Sequence, residues 1–285
     1  MKLVIISGLS GSGKSVALHT LEDEGFYCVD NLPLGLLPNF IDQLSSRQLN
    51  IYKEVAVGID ARSGVDDLMR FQEIIAAISS KNMSVEIIYF QADINTLIKR
   101  FNDTRRRHPL AKGGIPLAEA IKMEQDLMSP IAQAADLNFD TTRTNIHQLR
   151  SLLKERVLQK PAHEMSLLVQ SFGFKNGAPT DSDFVFDLRC LPNPHWEPTL
   201  RDFTGQDPEV CRFLDAQQDT IAMYNQLLQF LENWIPLFNA QHRYYLTISL
   251  GCTGGQHRSV YMAEKLCTAL RNKFSQVSLR HRELE

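Results

Sequence analysis

Short apolar runs alternate with amphipathic segments through the first 160 residues of the chain. Runs of the kind found in strands buried on both faces occur at residues 3–6, 26–29, 54–59, 85–90 and 137–140. Apolar positions at helical spacing predict helices that start near Lys14 and at residues 36–49, 67–79, 118–128 and 141–158, with Ser129-Pro130 interrupting the one before it. Strands that alternate with helices predict a parallel α/β sheet with right-handed crossovers.

The remaining residues follow a different pattern. We predict strands at 166–172, 184–187 and 244–250, helices at 220–238 and 260–273, and a Pro-rich loop with a loose region after it between residues 188 and 208. The segment 160–163, Lys-Pro-Ala-His, is the predicted boundary. The chain is therefore expected to have two α/β domains, residues 1–160 and a smaller one at 161–285.

The first predicted strand ends in a glycine-rich loop. Residues 8–15 match the pattern G-x-x-x-x-G-K-[ST], with the strand before them and an amphipathic segment after them, which is the context that a phosphate-binding P-loop requires. In such a loop, successive backbone N–H groups and the following helix N-terminus face phosphate oxygens. The predicted phosphate-binding residues are Gly8, Leu9, Ser10, Gly11, Ser12, Gly13, Lys14 and Ser15.

Acidic residues follow the next two predicted strands. Asp30, after the second strand, is expected to orient an acceptor or to contact a base at the nucleotide mouth, or else to cap the turn before Pro33. The strand before Asp60 resembles a Walker B strand, whose terminal carboxylate holds Mg²⁺, usually through water; a strand-end cap is the alternative. Ser15 and Asp60 are therefore the candidate Mg²⁺ ligands.

Three arginines, residues 105–107, follow the helix that Asp93 is expected to begin. Small P-loop kinases present a lid in this order, with arginines that close over the transferring phosphates. Three adjacent arginines cannot all face one ligand, so some are expected to be solvated or to contact another anion such as an RNA backbone.

A second strand, glycine-rich turn and helix unit lies near the end of the chain. Residues 252–259 fit C-x-x-G-x-x-R-[ST], the phosphate loop of cysteine phosphatases, in which a thiolate attacks phosphorus and an arginine clamps it. The histidine that usually precedes the cysteine is Gly251 here, and no acid loop can be assigned. We therefore interpret the segment as a phosphate-binding loop, with phosphatase chemistry as an alternative.

Composition limits the classes to which the chain can belong. With 44% apolar and 22% charged residues it is an ordinary folded protein, and with neither a long apolar run nor a leader segment it is expected to be cytoplasmic. Five cysteines without a C-x-x-C pair indicate neither a disulfide framework nor a structural zinc site. Residues 1–160 carry 19 basic and 19 acidic side chains and residues 161–285 carry 11 and 14, so any nucleic-acid contact must come from a local patch.

Motifs spread over nearly the whole chain resemble the RapZ family of RNase adapter and nucleotide-binding proteins. The matching segments are residues 8–15, 25–33, 60–63, 104–109, 171–175, 186–189, 191–196 and 251–259. The resemblance implies a kinase-like P-loop domain that binds ATP and GTP with weak hydrolysis. It places ATP at the stretch from Gly8 to Ser15 and GTP at Asp60, Ala61, Arg62 and Ser63, an assignment that competes with a Walker B role for Asp60.

The same resemblance implies that the second domain senses glucosamine-6-phosphate, binds small regulatory RNA and presents it to an endoribonuclease. Homo-oligomers are also expected. The implied sugar-phosphate residues are Asn193, His195, Cys252, Thr253, Gly254, His257, Arg258 and Ser259.

The chain departs from the RNA-adapter members at two places. They have Lys where Gln256 stands and end in a basic run, whereas this chain ends Arg-His-Arg-Glu-Leu-Glu. Fewer cationic phosphate contacts weaken RNA binding and its dependence on salt. A modest basic patch is still possible, built from Arg271, Lys273, Arg280 and Arg282. The alternative function is that of a small-molecule P-loop kinase.

Overall fold

Two compact units make up the chain. The computed structural model describes residues 1–45, 53–79, 83–111, 113–158, 165–241, 243 and 245–284. The units are Met1–Lys154 and Glu155–Glu285, and each contains a parallel sheet. The domain boundary expected between residues 160 and 161 lies outside the described residues.

The first unit is built on a five-stranded sheet in the order β2-β3-β1-β4-β5, with every described pair parallel. Its elements are β1 (Lys2–Gly8), α1 (Lys14–Asp23), β2 (Tyr27–Val29), α2 (Leu37–Ser45), β3 (Glu54–Gly58), α3 (Val65–Met69), α4 (Phe71–Ser79), β4 (Ser84–Gln91), α5 (Ile94–Thr104), α6 (Leu117–Ala134), β5 (Leu137–Asp140) and α7 (Ile146–Leu153). Because β1 lies between β3 and β4, its carboxyl end is at the centre of one sheet edge.

Strand register places the apolar side chains of this sheet. Leu3 pairs with Val55 and Ile5 with Val57, so these side chains share one face of the sheet, and all are fully buried. Apolar residues of α2, α4 and α6 join them in one core. Burial on both faces is the reason that the strands are continuously apolar.

Three helix predictions in the first unit were wrong in their limits. Pro130 lies inside α6 and does not end it, because Met128 and Ile131 on either side are fully buried in the core. Their burial offsets the backbone hydrogen bond that proline cannot make. The helix expected from residue 141 begins at Ile146, where Asn145 and Gln148 form a capping box.

The third error concerns residues 67–79, where a break at Arg70 separates α3 from α4. The predicted helix at 36–49 is described only as far as Ser45. Its predicted end lies outside the described residues.

The second unit has a four-stranded parallel sheet in the order β7-β8-β6-β9. Its elements are β6 (Ser166–Gly173), β7 (Phe184–Asp187), α8 (Pro208–Asp215), α9 (Gln218–Ala240), β8 (Tyr245–Cys252), α10 (Arg258–Arg271) and β9 (Val277–His281). Residue 244, where a strand was expected to start, lies outside the described residues.

Apolar side chains from β6, β8, α9 and α10 form the second core, which includes Val169, Ile248, Leu231 and Leu266. Helix α8 and strand β9 were not predicted from the sequence. Pro208 at the start of α8 is a helix-start signal, whereas β9 has the mixed sequence Val-Ser-Leu-Arg-His. Two parallel α/β sheets confirm the predicted fold class.

Among the residues that the structure describes, none of the helices combines the length and the apolar composition that crossing a bilayer requires.

Candidate functional site: two anion loops

The loop between β1 and α1 depends on glycine conformations. Gly8, Gly11 and Gly13 have φ angles of 135°, 84° and 111°, a region that favours glycine. A Cβ at Gly8 would lie 2.1 Å from the carbonyl oxygen of Phe90 on β4. The Leu9 amide donates to that carbonyl at 2.9 Å, which fixes the start of the loop against the sheet. The predicted P-loop therefore forms between a buried strand and a helix N-terminus.

Lys14 folds back over its own loop. Its Nζ donates to the carbonyl oxygens of Gly8 at 2.6 Å and Leu9 at 3.0 Å. Burial lowers the pKa of Lys14, and the nearby carboxylates of Glu124, Asp60 and Asp30 act against that lowering, in that order. Three acidic side chains from different elements thus act on the Lys14 ammonium group.

The Asp60–Ser63 segment lies at the same sheet edge. The Ile59 amide donates to Ile6 of β1, and the Asp60 carboxylate then caps a short turn by accepting from the Arg62 amide at 2.9 Å. The Arg62 guanidinium also donates to this carboxylate, from Nε at 2.9 Å and from Nη2 at 2.6 Å. Burial acts to raise the pKa of Asp60, but the hydrogen bonds from Arg62 hold it below its ordinary value.

A metal ion at this edge would meet few protein oxygens. Among the described residues, no three histidine, cysteine, aspartate or glutamate side chains are grouped as they would be in a protein-built metal site. Both carboxylate oxygens of Asp60 are engaged by Arg62. These residues fit Mg²⁺ held largely by phosphate and water oxygens.

Asp30 faces the loop from the end of β2. A Cβ on Gly58 would lie 2.7 Å from its Oδ1, so the missing side chain at Gly58 makes room for the carboxylate. The next residue, Asn31, has a positive φ of 55° and accepts a hydrogen bond from Arg62 through Oδ1. Asp30 also acts electrostatically on Lys14 and Arg62. The structure therefore brings together four predicted or neighbouring groups, Lys14, Asp30, Asp60 and Arg62.

The cation that reaches the P-loop from α5 is Arg100. Its Nη1 donates to the Gly11 carbonyl at 3.0 Å and its Nη2 donates to the Thr141 carbonyl at 2.6 Å. The three arginines at 105–107 are exposed, and Arg105 ends α5 with a φ of 51°. The sequence prediction had emphasised those three arginines and missed Arg100.

Glu124 and His108 are further residues that the sequence interpretation missed. Glu124 lies on α6, its side chain is fully buried, and it contacts Ser10 in the P-loop and the imidazole of His108. The signal was present, because Glu124 is an acid within the apolar face that includes Ala120 and Met128. An acid at such a position is expected to have a specific partner.

The second anion loop joins β8 to α10. The Cys252 sulfur is buried, accepts a hydrogen bond from the Gly255 amide at 3.2 Å and lies 3.2 Å from Ser259 Oγ. Gly255 has a φ of 76°. Ser259 is in the first turn of α10 and is fully buried. The loop thus turns its cysteine inward.

Arg258 is 4% exposed and contacts the loop that follows β7. Its Nη1 donates to the carbonyl oxygens of Arg189 and Leu191, and its Nη2 donates to Thr253 Oγ1 at 3.3 Å. The buried Nε has no hydrogen-bond partner among the described residues. Arg258 therefore anchors the 188–191 loop and keeps one donor available.

Two histidines adjoin this loop. The rings of His195 and His257 are 6.2 Å apart, and the Asn193 side chain accepts from the His195 amide. Burial lowers the pKa of His257, and its buried Nε2 has no hydrogen-bond partner among the described residues. The structure therefore places the expected residues Asn193, His195, Thr253, His257 and Arg258 in one neighbourhood.

Two other charged groups beside this loop were not among the predicted site residues. A Cβ on Gly254 would lie 3.9 Å from Lys175 Nζ, and the Lys175 amide donates to the Thr253 carbonyl. A Cβ on Gly255 would lie 2.5 Å from Glu283 Oε2, a buried oxygen with no hydrogen-bond partner among the described residues. A cation and a carboxylate therefore flank the same turn.

The residues of the expected basic patch are largely engaged. Arg271 donates to the Val277 carbonyl, Lys273 pairs with Glu232 at 2.7 Å, and Arg280 is 8% exposed. Arg282 has a buried Nη1. Arg271 and Lys273 are thus exposed but engaged, whereas Arg280 is buried and Arg282 is half-buried.

Comparison with known proteins gives concordant results for both units. A family model described as the RapZ-like N-terminal domain matches residues 1–161, and one described as the RapZ C-terminal domain matches residues 165–285. A nucleotide-binding protein of Thioalkalivibrio sulfidiphilus is 55% identical over 285 residues, with all of both chains covered. A nucleotide-binding protein of Methylococcus capsulatus is 50% identical, with all of this chain and 96% of that protein covered.

Similarity to solved structures is much weaker. Shikimate kinase from Acinetobacter baumannii is 13% identical, with a TM-score of 0.37 over 55% of this chain and 93% of that one. The two family models together match almost every residue, from the P-loop of the first unit to the second anion loop and the strand after it. The chain belongs to the RapZ family.

Proposed function

We propose that the chain is a nucleotide-binding regulatory protein whose P-loop binds ATP. The observation that carries the proposal is the loop itself, in which three glycines with positive φ lead into a helix and the half-buried Lys14 donates to the loop carbonyls. Relatives that are 50–55% identical over almost their whole length are named nucleotide-binding proteins. Slow hydrolysis of ATP or GTP is the activity that we expect.

Mg²⁺ is the proposed cofactor. The Ser15 hydroxyl would bind the ion directly, and Asp60 would act through water because Arg62 engages both of its oxygens. GTP binding at residues 60–63 is the competing assignment for this segment. The ion pair between buried Asp60 and exposed Arg62 supports a role for Asp60 in positioning the guanidinium near the phosphates.

Calorimetry with Mg-ATP, Mg-GTP and Mg-ADP tests the proposal. In Lys14→Ala we expect affinity for ATP to fall about 100-fold or more, because a buried charge-assisted contact with phosphate is lost. Lys99→Ala, on α5, is the matched control and should bind as the parent does. Failure of the parent protein to bind any nucleotide would overturn the proposal.

The second loop is proposed to bind a sugar phosphate, with glucosamine-6-phosphate as the first candidate. Support comes from Arg258 Nε and His257 Nε2, which are buried and have no partner among the described residues, and from nearby Lys175. Ligand occupancy of this loop would be the regulatory input. Calorimetry with glucosamine-6-phosphate, glucose-6-phosphate and inorganic phosphate separates recognition of the sugar from recognition of the anion.

Presentation of small regulatory RNA to an endoribonuclease stays a prediction from the family resemblance. Arg271 and Lys273 are engaged by a carbonyl and a carboxylate, and Arg280 is buried, so we expect weak binding with a shallow salt dependence. A gel shift with total small RNA at two salt concentrations, with and without the sugar phosphate, tests this prediction.

A small-molecule kinase is the second candidate function. Asp30 favours it, because its carboxylate adjoins the end of β3 and acts on both Lys14 and Arg62, which is a suitable position for orienting an acceptor hydroxyl. Consumption of ATP that depends on an added acceptor, and that Asp30→Asn abolishes, would support it.

A further inference from the structure

Glu124 is bound by the P-loop as a small anion would be. Ser10 donates to both of its oxygens, from the hydroxyl to Oε1 at 2.7 Å and from the backbone amide to Oε2 at 2.8 Å. Both contacts lie within hydrogen-bond distance, and the Glu124 side chain is fully buried. One of the loop amides that phosphate would use is therefore already occupied by a carboxylate.

The charge of Glu124 also acts on the cation of the loop. Among the charged groups that influence Lys14, Glu124 has the largest effect. Burial acts to raise the pKa of Glu124, but hydrogen bonds from His108 and Ser10 and the charge of Lys14 hold it below its ordinary value. Glu124 is thus anionic at neutral pH and adjoins the donors and the cation that would receive the terminal phosphate.

We propose that Glu124 determines the length of phosphate chain that the loop accepts, because it occupies the Ser10 donors that a terminal phosphoryl group would need. The inference rests on the proposed nucleotide binding. A nucleoside diphosphate leaves the Glu124–Ser10 contacts intact, whereas a triphosphate places further negative charge beside the carboxylate, in surroundings of low dielectric where like charges repel strongly. The triphosphate therefore binds fully only when Glu124 releases Ser10.

His108 connects this carboxylate to the exposed arginines. Its Nε2 lies 3.0 Å from Glu124 Oε2, and its Nδ1 accepts a hydrogen bond from the Leu110 amide. The proton of the neutral ring is therefore on Nε2, which donates a hydrogen bond to Glu124. The ring also packs against Phe101 at the end of α5, 5.2 Å between centroids. Residues 105–107 directly precede His108. When Glu124 releases Ser10, its contact with His108 changes as well. The packing of the segment that carries the arginines changes with it.

Glu124→Gln is the informative variant, because glutamine keeps the shape of the side chain and removes its charge. Calorimetry on the full chain compares Mg-ADP with a non-hydrolysable Mg-ATP analogue. We expect the preference for the triphosphate over the diphosphate to rise about tenfold, a change within the range of a single charge–charge contact. Glu119→Gln, an exposed acid on the same helix, is the control and should leave the preference unchanged.

Ser10→Ala provides a second test if Glu124→Gln lowers the melting temperature. It removes only the hydroxyl contact to Oε1 and should raise the same preference by a smaller factor. Equal changes in the two affinities, or a fall in the preference, would overturn the proposal. Unchanged affinities with loss of hydrolysis would instead identify Glu124 as a catalytic base, and would equally overturn it.

Trypsin cleavage after residues 105–107 gives a readout that needs no catalytic activity. In the parent protein, the triphosphate analogue should change the cleavage rate at these arginines and the diphosphate should not. In His108→Ala, cleavage should be fast in every state because the connection to Glu124 is lost. If the parent binds no nucleotide, the proposed function fails; if it binds both nucleotides and cleavage responds equally to them, only the inference about Glu124 fails.

Discussion

The two anion loops of this chain share a strand–loop–helix setting but differ in the side chains around them. Each follows a buried parallel strand and precedes a helix, so each offers backbone amides and a helix N-terminus to an anion. The first depends on glycines and a lysine, and its adjoining carboxylate, Glu124, is satisfied by three donors. The second depends on Arg258 and Cys252, and its adjoining carboxylate, Glu283, has an oxygen without a partner among the described residues.

The hydrogen bonds of Lys14 and Arg258 imply different responses of the two loops to a ligand. Lys14 donates to the carbonyls of its own loop, so it can turn toward phosphate without breaking hydrogen bonds to other segments that the structure describes. Arg258 holds the backbone of the 188–191 loop, so any ligand that recruits it acts on that loop as well. We therefore expect the first loop to bind and release its ligand without wider change, and occupancy of the second loop to affect the 188–191 segment.

Gly8→Ala is expected to have the largest effect, and it acts on the first loop alone. A Cβ would lie 2.1 Å from the Phe90 carbonyl, so the loop must shift from the sheet, at a cost of about 3–5 kcal/mol in the free energy of unfolding. Nucleotide binding should be lost while binding of the sugar phosphate persists. Denaturant unfolding and calorimetry measure the two effects.

The control for this substitution is Gly25→Ala. Gly25 also has a positive φ, but a Cβ there would meet nothing within 4 Å, so we expect a cost of only about 1 kcal/mol from backbone strain. Equal destabilisation by the two substitutions would show that close approach to the sheet is not what requires Gly8.

Arg258→Ala should strongly weaken ligand binding at the second loop. We expect binding of the sugar phosphate to weaken by about 30-fold or more, because charge-assisted contacts with phosphate are lost together with the anchor of the 188–191 loop. Affinity for ATP should not change. Arg212→Ala, an exposed arginine on α8, is the control. Unchanged affinity for the sugar phosphate, measured by calorimetry, would contradict the assignment.

Glu283→Gln should strengthen anion binding at the second loop. Its carboxylate adjoins Gly255 without a partner for Oε2 among the described residues, so removing the charge removes repulsion of phosphate. We expect affinity for inorganic phosphate to rise about threefold to tenfold. If the carboxylate instead binds the amino group of an amino-sugar phosphate, affinity for glucosamine-6-phosphate should fall while that for glucose-6-phosphate rises.

Cys252→Ser distinguishes a binding loop from a phosphatase. The cysteine is buried and its sulfur accepts the Gly255 amide, so serine should preserve the loop and keep ligand affinity within about threefold. Turnover of a phosphatase substrate by the parent, lost in the variant, would assign the loop to phosphatase chemistry. Equal absence of turnover in both proteins would support binding alone.

The smallest expected effect is the pH dependence that His257 contributes to stability. Burial lowers its pKa in the folded state, so unfolding takes up a proton once the pH falls below the ordinary value of about 6.5. The stability contributed by the neutral ring is complete above that pH and is lost as the pH falls. In His257→Gln, the difference in melting temperature between pH 7.5 and 5.5 should be smaller than in the parent. An identical difference would show that His257 titrates normally.

The sequence by itself determined the two loops and their setting. Residues 8–15 contain a local pattern in which glycine spacing, lysine and the flanking strand and helix agree. Residues 252–259 combine the spacing of cysteine, glycine and arginine with a flanking strand and helix in the second unit. The strands of the first sheet were also predictable, because burial on both faces requires continuous apolar runs. Short β9, with its mixed sequence, gave no such signal.

Only the tertiary structure decided which side chains from other elements contact each loop. Glu124 is 114 residues from Ser10 in sequence, and Glu283 reaches Gly255 from the end of the chain. Contacts of this kind depend on how helices and strands pack, and no spacing rule along the chain encodes them. Packing also kept Pro130 inside α6 and turned Arg258 toward backbone carbonyls, since burial of neighbouring groups outweighs local preference in both cases.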